Sequence, residues 1–196
     1  MAQLSGTATY LPLVVILVSG KRKCGKDFVS ETLCANLGKT CAIFRLSAPL
    51  KKSYATIHTL DLDQLMSATE YKEIHRKNMI EWGEEVRNKD PGYFCRLATE
   101  EGHLYTIWII SDVRRHSDVS YFRQKYNCVT VKVAATQSVR EERGFKFVDG
   151  VDNAQSECGL DNLECDITIQ NDGTVPLPEV SGYKELVALV LPHIQS

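Results

Sequence analysis

Short apolar runs alternate along the chain with longer stretches in which apolar positions recur every three or four residues. The short runs fall near 12–18, 41–47 ("CAIFRLS"), 106–111 ("TIWIIS"), 128–134 ("CVTVKVA") and 165–170 ("CDITIQ"). Each is rich in β-branched or aromatic residues and ends in polar or turn-forming ones, the signature of a buried strand. Helical periodicity appears near 26–37, 49–59, 71–89, 91–101, 117–125 and 136–143, with a last helix near 178–194. Alternating strands and helices predict an α/β fold, a five-stranded parallel sheet with helices on both faces. Such sheets bind ligands at the carboxyl ends of their strands. The segment "GFKFVDGVDNAQSECGLDN" (144–162) breaks the rhythm, with nineteen polar, glycine-punctuated residues between a helix and a strand. Loops of that length carry function or are disordered.

At 196 residues the chain makes one domain with room for a real core. Hydrophobic residues are 43% and charged residues 24%, as in an ordinary globular protein. The net charge of −2 excludes a general basic field for nucleic acid. Seven cysteines (24, 34, 41, 95, 128, 158, 165) include no C-x-x-C pair. That argues against a zinc site or disulfide framework and for a reducing compartment. The apolar run at 11–18 is too short to span a membrane, and its first lysine follows it, unlike a signal peptide. The terminal "IQS" is not a peroxisomal tripeptide. A cytosolic protein without membrane or nucleic-acid partners is expected, as a monomer.

Against that near-neutral background, "SGKRKCGKDF" (19–28) concentrates four cations after the first strand. Gly20, Gly25 and Lys26 fit G-x-x-x-x-G-K, the P-loop pattern, with Asp27 where Ser or Thr is usual. Glycines let backbone wrap a phosphate, and the following helix points free N–H groups at it. Lys26 would reach the terminal phosphates, and Asp27 would take the hydroxyl's place on Mg²⁺. The bland alternative is a strand followed by a solvated basic turn. A second charged stretch, "SDVRRHSD" (111–118), closes the third strand. Asp112 stands where such proteins place a second Mg²⁺-organising carboxylate, and Arg114 and Arg115 follow. A plain turn with surface arginines would look the same.

On the helix "YKEIHRKNMIEWGEEVR" (71–87), Lys72, Arg76, Gly83 and Arg87 fall within about 60° of one another at 100° per residue. Glu73 and Glu84 would make this an ordinary solvated face. Lys51, Arg96, Arg140 and Arg143 are weaker candidates of the same kind. The five histidines form no metal spacing. Cations are thus abundant and candidate general bases few. Phosphorylating an alcohol calls for a carboxylate to take its proton. An acceptor that is itself a phosphate needs none, because its second pKa is about 6. The residues point to a P-loop enzyme moving a phosphoryl group from ATP to a small phosphorylated acceptor.

Together "SGKRKCGKDF", "RLSAPLK", "YKEIHRKNMIEWGEEVR", "DPGYFCR", "SDVRRHSD" and "DNAQSECGLDN" resemble the animal-type phosphomevalonate kinases over nearly the whole chain, in order. That family keeps Asp after the P-loop lysine. The resemblance implies a three-layer, nucleoside-monophosphate-kinase-like fold with an acceptor-binding helical region at about 49–101 and a mobile lid at about 136–162. It implies ATP and Mg²⁺, with 5-phosphomevalonate as acceptor and 5-diphosphomevalonate and ADP as products, in isoprenoid and sterol synthesis. Carried over, Gly20, Lys21, Arg22, Lys23, Cys24, Gly25, Lys26 and Asp27 form the ATP loop, with Lys23 and Lys26 catalytic. Arg114 and Arg115 form the transfer and acceptor pair. Lys51, Lys72, Arg76, Arg87 and Arg96 are acceptor-side cations. Arg140 and Arg143 are lid arginines on ATP, Asn171 and Asp172 ligand contacts after the last strand, and Asp27 and Asp112 metal-side carboxylates. Cys24, Lys132 and the lid stretch "VDGVDN" depart from the family pattern. Two rivals remain at this stage: a nucleoside monophosphate kinase of the same fold, and a non-catalytic ATP-binding module. The position of Cys24, between lysines and before a helix N-terminus, also predicts an exposed, reactive thiol.

Overall fold

The computed structural model describes residues 11–67 and 70–193. The carboxyl-terminal "IQS", and with it the end of the 178–194 helix and the reading of the last tripeptide, lies outside the described residues. Five strands run β1 (Val14–Ser19), β2 (Cys41–Phe44), β3 (Ile107–Ile110), β4 (Cys128–Ala134) and β5 (Ile167–Gln170). They form one parallel sheet in the order β2-β3-β1-β4-β5. Each expected strand is present, the second, third and fifth shorter than the run that marks them. Helices α1 (Lys26–Leu37), α2 (Ser47–His58), α3 (Leu62–Met66), α4 (Glu70–Lys89), α5 (Tyr93–Ala98), α6 (His116–Arg123), α7 (Gln137–Glu142), α8 (Gln155–Cys158) and α9 (Ser181–Val190) connect and flank them.

The central strand is buried along its whole length, which is why it reads as a continuous apolar run. Its alternate residues face opposite cores. Val14, Ile16 and Val18 pack with Val29 and Leu33 of α1 and Leu186 of α9. Val15 and Leu17 pack with Trp108, Val119 and Phe122 on the other face. A smaller cluster, Tyr54, Ala55, Leu65 and Met79, ties α2, α3 and α4 together beside the sheet. It gives the 49–101 region an apolar centre of its own.

Two short helices escape the sequence pattern. α3 has five residues, begun by Asp61, whose side chain accepts the Gln64 N–H. α8 lies inside the polar 144–162 stretch, so this segment is not one structureless loop. Its turns are fastened internally. The Asp152 carboxylate accepts the Val148 N–H at 2.8 Å, and Asn153 Oδ1 accepts the Gly150 N–H at 2.7 Å. No helix among the described residues is long and apolar enough to cross a membrane.

α9 approaches β5 so closely that a Cβ on Gly182 would lie 2.1 Å from the Thr168 carbonyl oxygen. Gly182→Ala should therefore push α9 off the sheet edge and cost about 1–3 kcal/mol. Urea unfolding measures it. An unchanged midpoint would mean that α9 can shift without loss.

Candidate functional site

The loops that frame the site follow the carboxyl ends of strands. The loop 20–25 leaves β1, the 111–115 turn leaves β3, Thr136 follows β4, and Asn171–Asp172 follow β5. The chain turns into α1 through Lys23 and Gly25, both left-handed, at φ 63° and 93°. A Cβ at Gly25 would lie 2.2 Å from Asn171 Nδ2, so only glycine fits. No side chain among the described residues caps α1, and its first amides are available to an anion. Lys26 curls back over the loop, and Nζ donates to the carbonyls of Gly20 at 2.5 Å and Lys21 at 3.1 Å. Burial lowers the Lys26 pKa below its usual value. Lys23 is exposed.

Asn171 is buried, and its Nδ2 donates to the Cys24 carbonyl at 2.9 Å. Arg143 donates to the carbonyls of Cys24 at 3.2 Å and Asn171 at 2.9 Å. Asp172 accepts the Thr136 N–H at 2.7 Å and so holds the start of α7. Arg140 Nε donates to the Arg22 carbonyl at 2.8 Å and its guanidinium lies 4.0 Å from the Phe145 ring centroid. Asn171, Arg143 and Asp172 thus brace the loop and its surroundings. Cys24 departs further. Its side chain is 1% exposed and packs in the sheet core. The expected exposed thiol is absent, because the left-handed turn directs the side chain inward and leaves only the backbone in the loop.

Cations from three elements meet beyond the loop. Lys51 of α2, Lys72 and Arg76 of α4 and Arg114 after β3 lie close enough to repel one another electrostatically. Burial, then Lys51 and Arg76, bring the Lys72 pKa down to about 8. Burial first also lowers Lys51 and Arg114. Arg76 is held by Glu73, with Nε donating to Oε2 at 2.7 Å. Arg114 pairs with Glu157, Lys21 with Asp161 at 2.7 Å and Arg22 with Asp152 at 2.7 Å. Three carboxylates of the 144–162 segment thus sit on three cations of the site. Gly20, Lys21, Arg114, Arg140, Glu157 and Asp161 help line a cleft of about 330 Å³ here.

Several expected members stand elsewhere. Arg115 turns away from its neighbour into α4, where Nε donates to Glu84 Oε2 at 3.1 Å. Arg87 is buried against Phe94 and pairs with Asp118 at 3.6 Å. Arg96 is tied to Asp90 with its side chain about half exposed. Asp112 spends both oxygens on the N-terminus of α2, accepting the N–H groups of Leu46 at 2.6 Å and Ser47 at 3.0 Å. Asp27 is exposed on the first turn of α1, 3.7 Å from Arg45 Nε. Of the two carboxylates expected at a metal, Asp27 is the one left open. The sequence pattern singles out neither Asp118, Asp152, Glu157 nor Asp161, and it offers Glu84 only as a partner on a solvated helix face. Three of them stand in the quoted "DNAQSECGLDN", but nothing in one sequence pairs a lid acid with a cation far along the chain, from 43 residues (Arg114 and Glu157) to 140 (Lys21 and Asp161).

Comparison with known proteins gives this arrangement a family. The family model described as phosphomevalonate kinase matches residues 18–128. A Drosophila melanogaster protein named phosphomevalonate kinase is 43% identical over 166 residues, 81% of this chain and 88% of that protein. The solved structure of TT1252 from Thermus thermophilus aligns over 93% of this chain and 98% of its own. Its TM-score is 0.57 at 15% identity, a likeness of fold alone. With more than half of its length matched by the family model, and a relative at 43% identity over most of it, the chain belongs to the phosphomevalonate kinase family.

Proposed function

We propose that the chain transfers the γ-phosphoryl group of ATP to 5-phosphomevalonate, giving 5-diphosphomevalonate and ADP. Beside family membership, one observation carries this reading: Lys51, Lys72, Arg76 and Arg114 converge next to the loop before α1. Glu73 and Glu157 pair with Arg76 and Arg114, yet Lys51 and Lys72 remain shifted toward the neutral form, and a small acceptor rich in negative charge would offset that crowding. That acceptor's phosphate is already ionised at neutral pH, so no general base is needed.

The residues fit ATP. The uncapped amides at the start of α1 and the tight turn at Gly25 make an anion cradle. Lys26, Lys21 and Arg22 would bind its phosphates, and Arg140 and Arg143 would hold the loop beneath them. A divalent metal, Mg²⁺ in this proposal, would take Asp27 and supply charge neutralisation when bound. Asp112 would shape the acceptor side through α2. Lys51, Lys72 and Arg76 would hold the acceptor, and Arg114 would stabilise charge between the two substrates. In the transfer the bond from the γ-phosphorus to the ADP oxygen breaks, and one to an acceptor phosphate oxygen forms. The 49–101 region would serve as the acceptor module and 136–162 as the lid, in a monomeric cytosolic enzyme.

A coupled ADP-release assay should give turnover with phosphomevalonate and little with mevalonate, AMP, GMP or UMP. Comparable turnover with AMP overturns the acceptor assignment. Lys26→Met and Arg114→Met should each lower kcat by about 10²-fold or more. Lys26→Met should leave KM for ATP little changed, and near-normal kcat in both variants overturns the assignment of the transfer site.

Lys72 supplies a pH test. Its charge is present below about pH 8 and lost above it, whereas the acceptor phosphate does not titrate there. KM for phosphomevalonate should therefore rise between pH 7.5 and 9.5. Lys72→Arg, whose cation does not titrate in this range, should flatten the rise. A wild-type KM that stays level to pH 9.5 removes Lys72 from acceptor binding.

A further inference from the structure

We infer that Asp118 is a positioning residue for Arg114, holding the turn after β3 through its backbone, with Arg87 as its buried countercharge. The inference rests on the reading that Arg114 acts in phosphoryl transfer.

Asp118 is the third residue of α6 and is 1% exposed. Its Oδ2 accepts the N–H groups of both Arg114 and Arg115 at 3.2 Å. A carboxylate gripping two successive amides fixes where the turn places its side chains. An ordinary cap of this kind lies at the surface and needs no cation. This one has a cation, and at a cost. Arg87 is 7% exposed, its guanidinium lies 4.6 Å from the Phe94 ring centroid, and its Nε and Nη1 have no hydrogen-bond partner among the described residues. Nε stands 3.6 Å from Asp118 Oδ1. The Cys95 thiol, 3.9 Å away, donates to the same oxygen. Burial pushes the Asp118 carboxyl above its usual range, and Arg87 opposes this most. Removing one member of such a pair leaves the other charged and dry.

The same helix makes a second grip. Glu84, three residues before Arg87 on α4, holds the Arg115 side chain. Helix α4 therefore grasps the turn through its backbone by way of Asp118 and through a side chain by way of Glu84. It also carries Lys72 and Arg76. The acceptor cations and Arg114 are set in one frame, and a shift of about 1 Å within such a frame costs about 10²-fold in rate. Arg87, placed among the acceptor-side cations from sequence, thereby acts through Asp118.

The test is a double-mutant cycle on the full chain, followed by steady-state kinetics. Asp118→Asn and Arg87→Met should each lower kcat by about 10- to 100-fold, with KM for phosphomevalonate changed far less. The double variant should fall no further than the worse single one. Losses that multiply in the double variant, or a large KM rise confined to Arg87→Met, would place Arg87 directly on the acceptor and overturn the inference. So would a wild-type kcat in Asp118→Asn. If Asp118→Asn fails to fold, Arg87→Lys carries the test, and its retained cation should restore most of the kcat lost in Arg87→Met. Equal losses in the Lys and Met variants reject the countercharge role. Loss of kcat in Arg114→Met without loss in Asp118→Asn would sink this inference alone, and intact kcat in Arg114→Met would sink the underlying reading.

Discussion

Like charges held together where water is scarce constrain this molecule more than any other feature. Lys26, Lys51, Lys72 and Arg114 are all shifted toward losing their protons, and burial is the largest cause for each. Left alone, such groups would splay into solvent. They are kept in place by what surrounds them at the carboxyl edge of the sheet. Lys26 is held by carbonyls of its own loop, and that loop is held by Asn171 and Arg143 from outside it. The strained backbone at Lys23 and the close approach at Gly25 are consequences of the same packing.

The carboxylates that balance these cations fall into two sets. Glu84 and Asp118 sit inside the packed frame of α4 and α6, facing Arg115 and Arg87, which are 7% exposed. Neither partner can leave without stranding a buried charge. Asp152, Glu157 and Asp161 come from the 144–162 segment and face Arg22, Arg114 and Lys21. The pair of Lys21 and Asp161 is open to solvent and worth little by itself. The first set is packed inside the fold. The second covers cations of the cleft with anions from one segment.

The sheet was legible because parallel strands buried on both faces leave unbroken apolar runs between turn signals. α3 was not, because five residues are too few to show a period, and α8 was hidden in a polar stretch whose order comes from Asp152 and Asn153 turns. The motifs named the cations but could not give their directions. Arg114 and Arg115 are neighbours, yet they face opposite ways because the backbone between them is extended; Arg115 has φ −132° and ψ 152°. Arg87 shares a helical arc with Lys72 and Arg76, but fifteen residues along α4 carry it about 22 Å from Lys72. There it meets α6. Angle around a helix was read from sequence, and distance along it decided the partner. Cys24 shows the converse: the loop pattern was right, and a left-handed residue before it turned the side chain into the core.

This division of charge bears on how the cleft meets its ligands. A site of bare cations would draw water and counterions, and each would have to be stripped as substrate enters. Here Arg114 already faces Glu157, whose side chain is 4% exposed, and Arg22 faces Asp152 at 7%. In the proposed reaction a phosphate oxygen would take the carboxylate's place on the same guanidinium, which would stay paired with an anion throughout. The guanidinium does not have to be desolvated anew. Its direction is set beforehand by a turn that Asp118 grips through two amides. Electrostatic stabilisation is most effective when the charges need not reorganise as the reaction proceeds. Under the proposed function, the anions already on Arg114 and Arg22 bring the fold toward that condition.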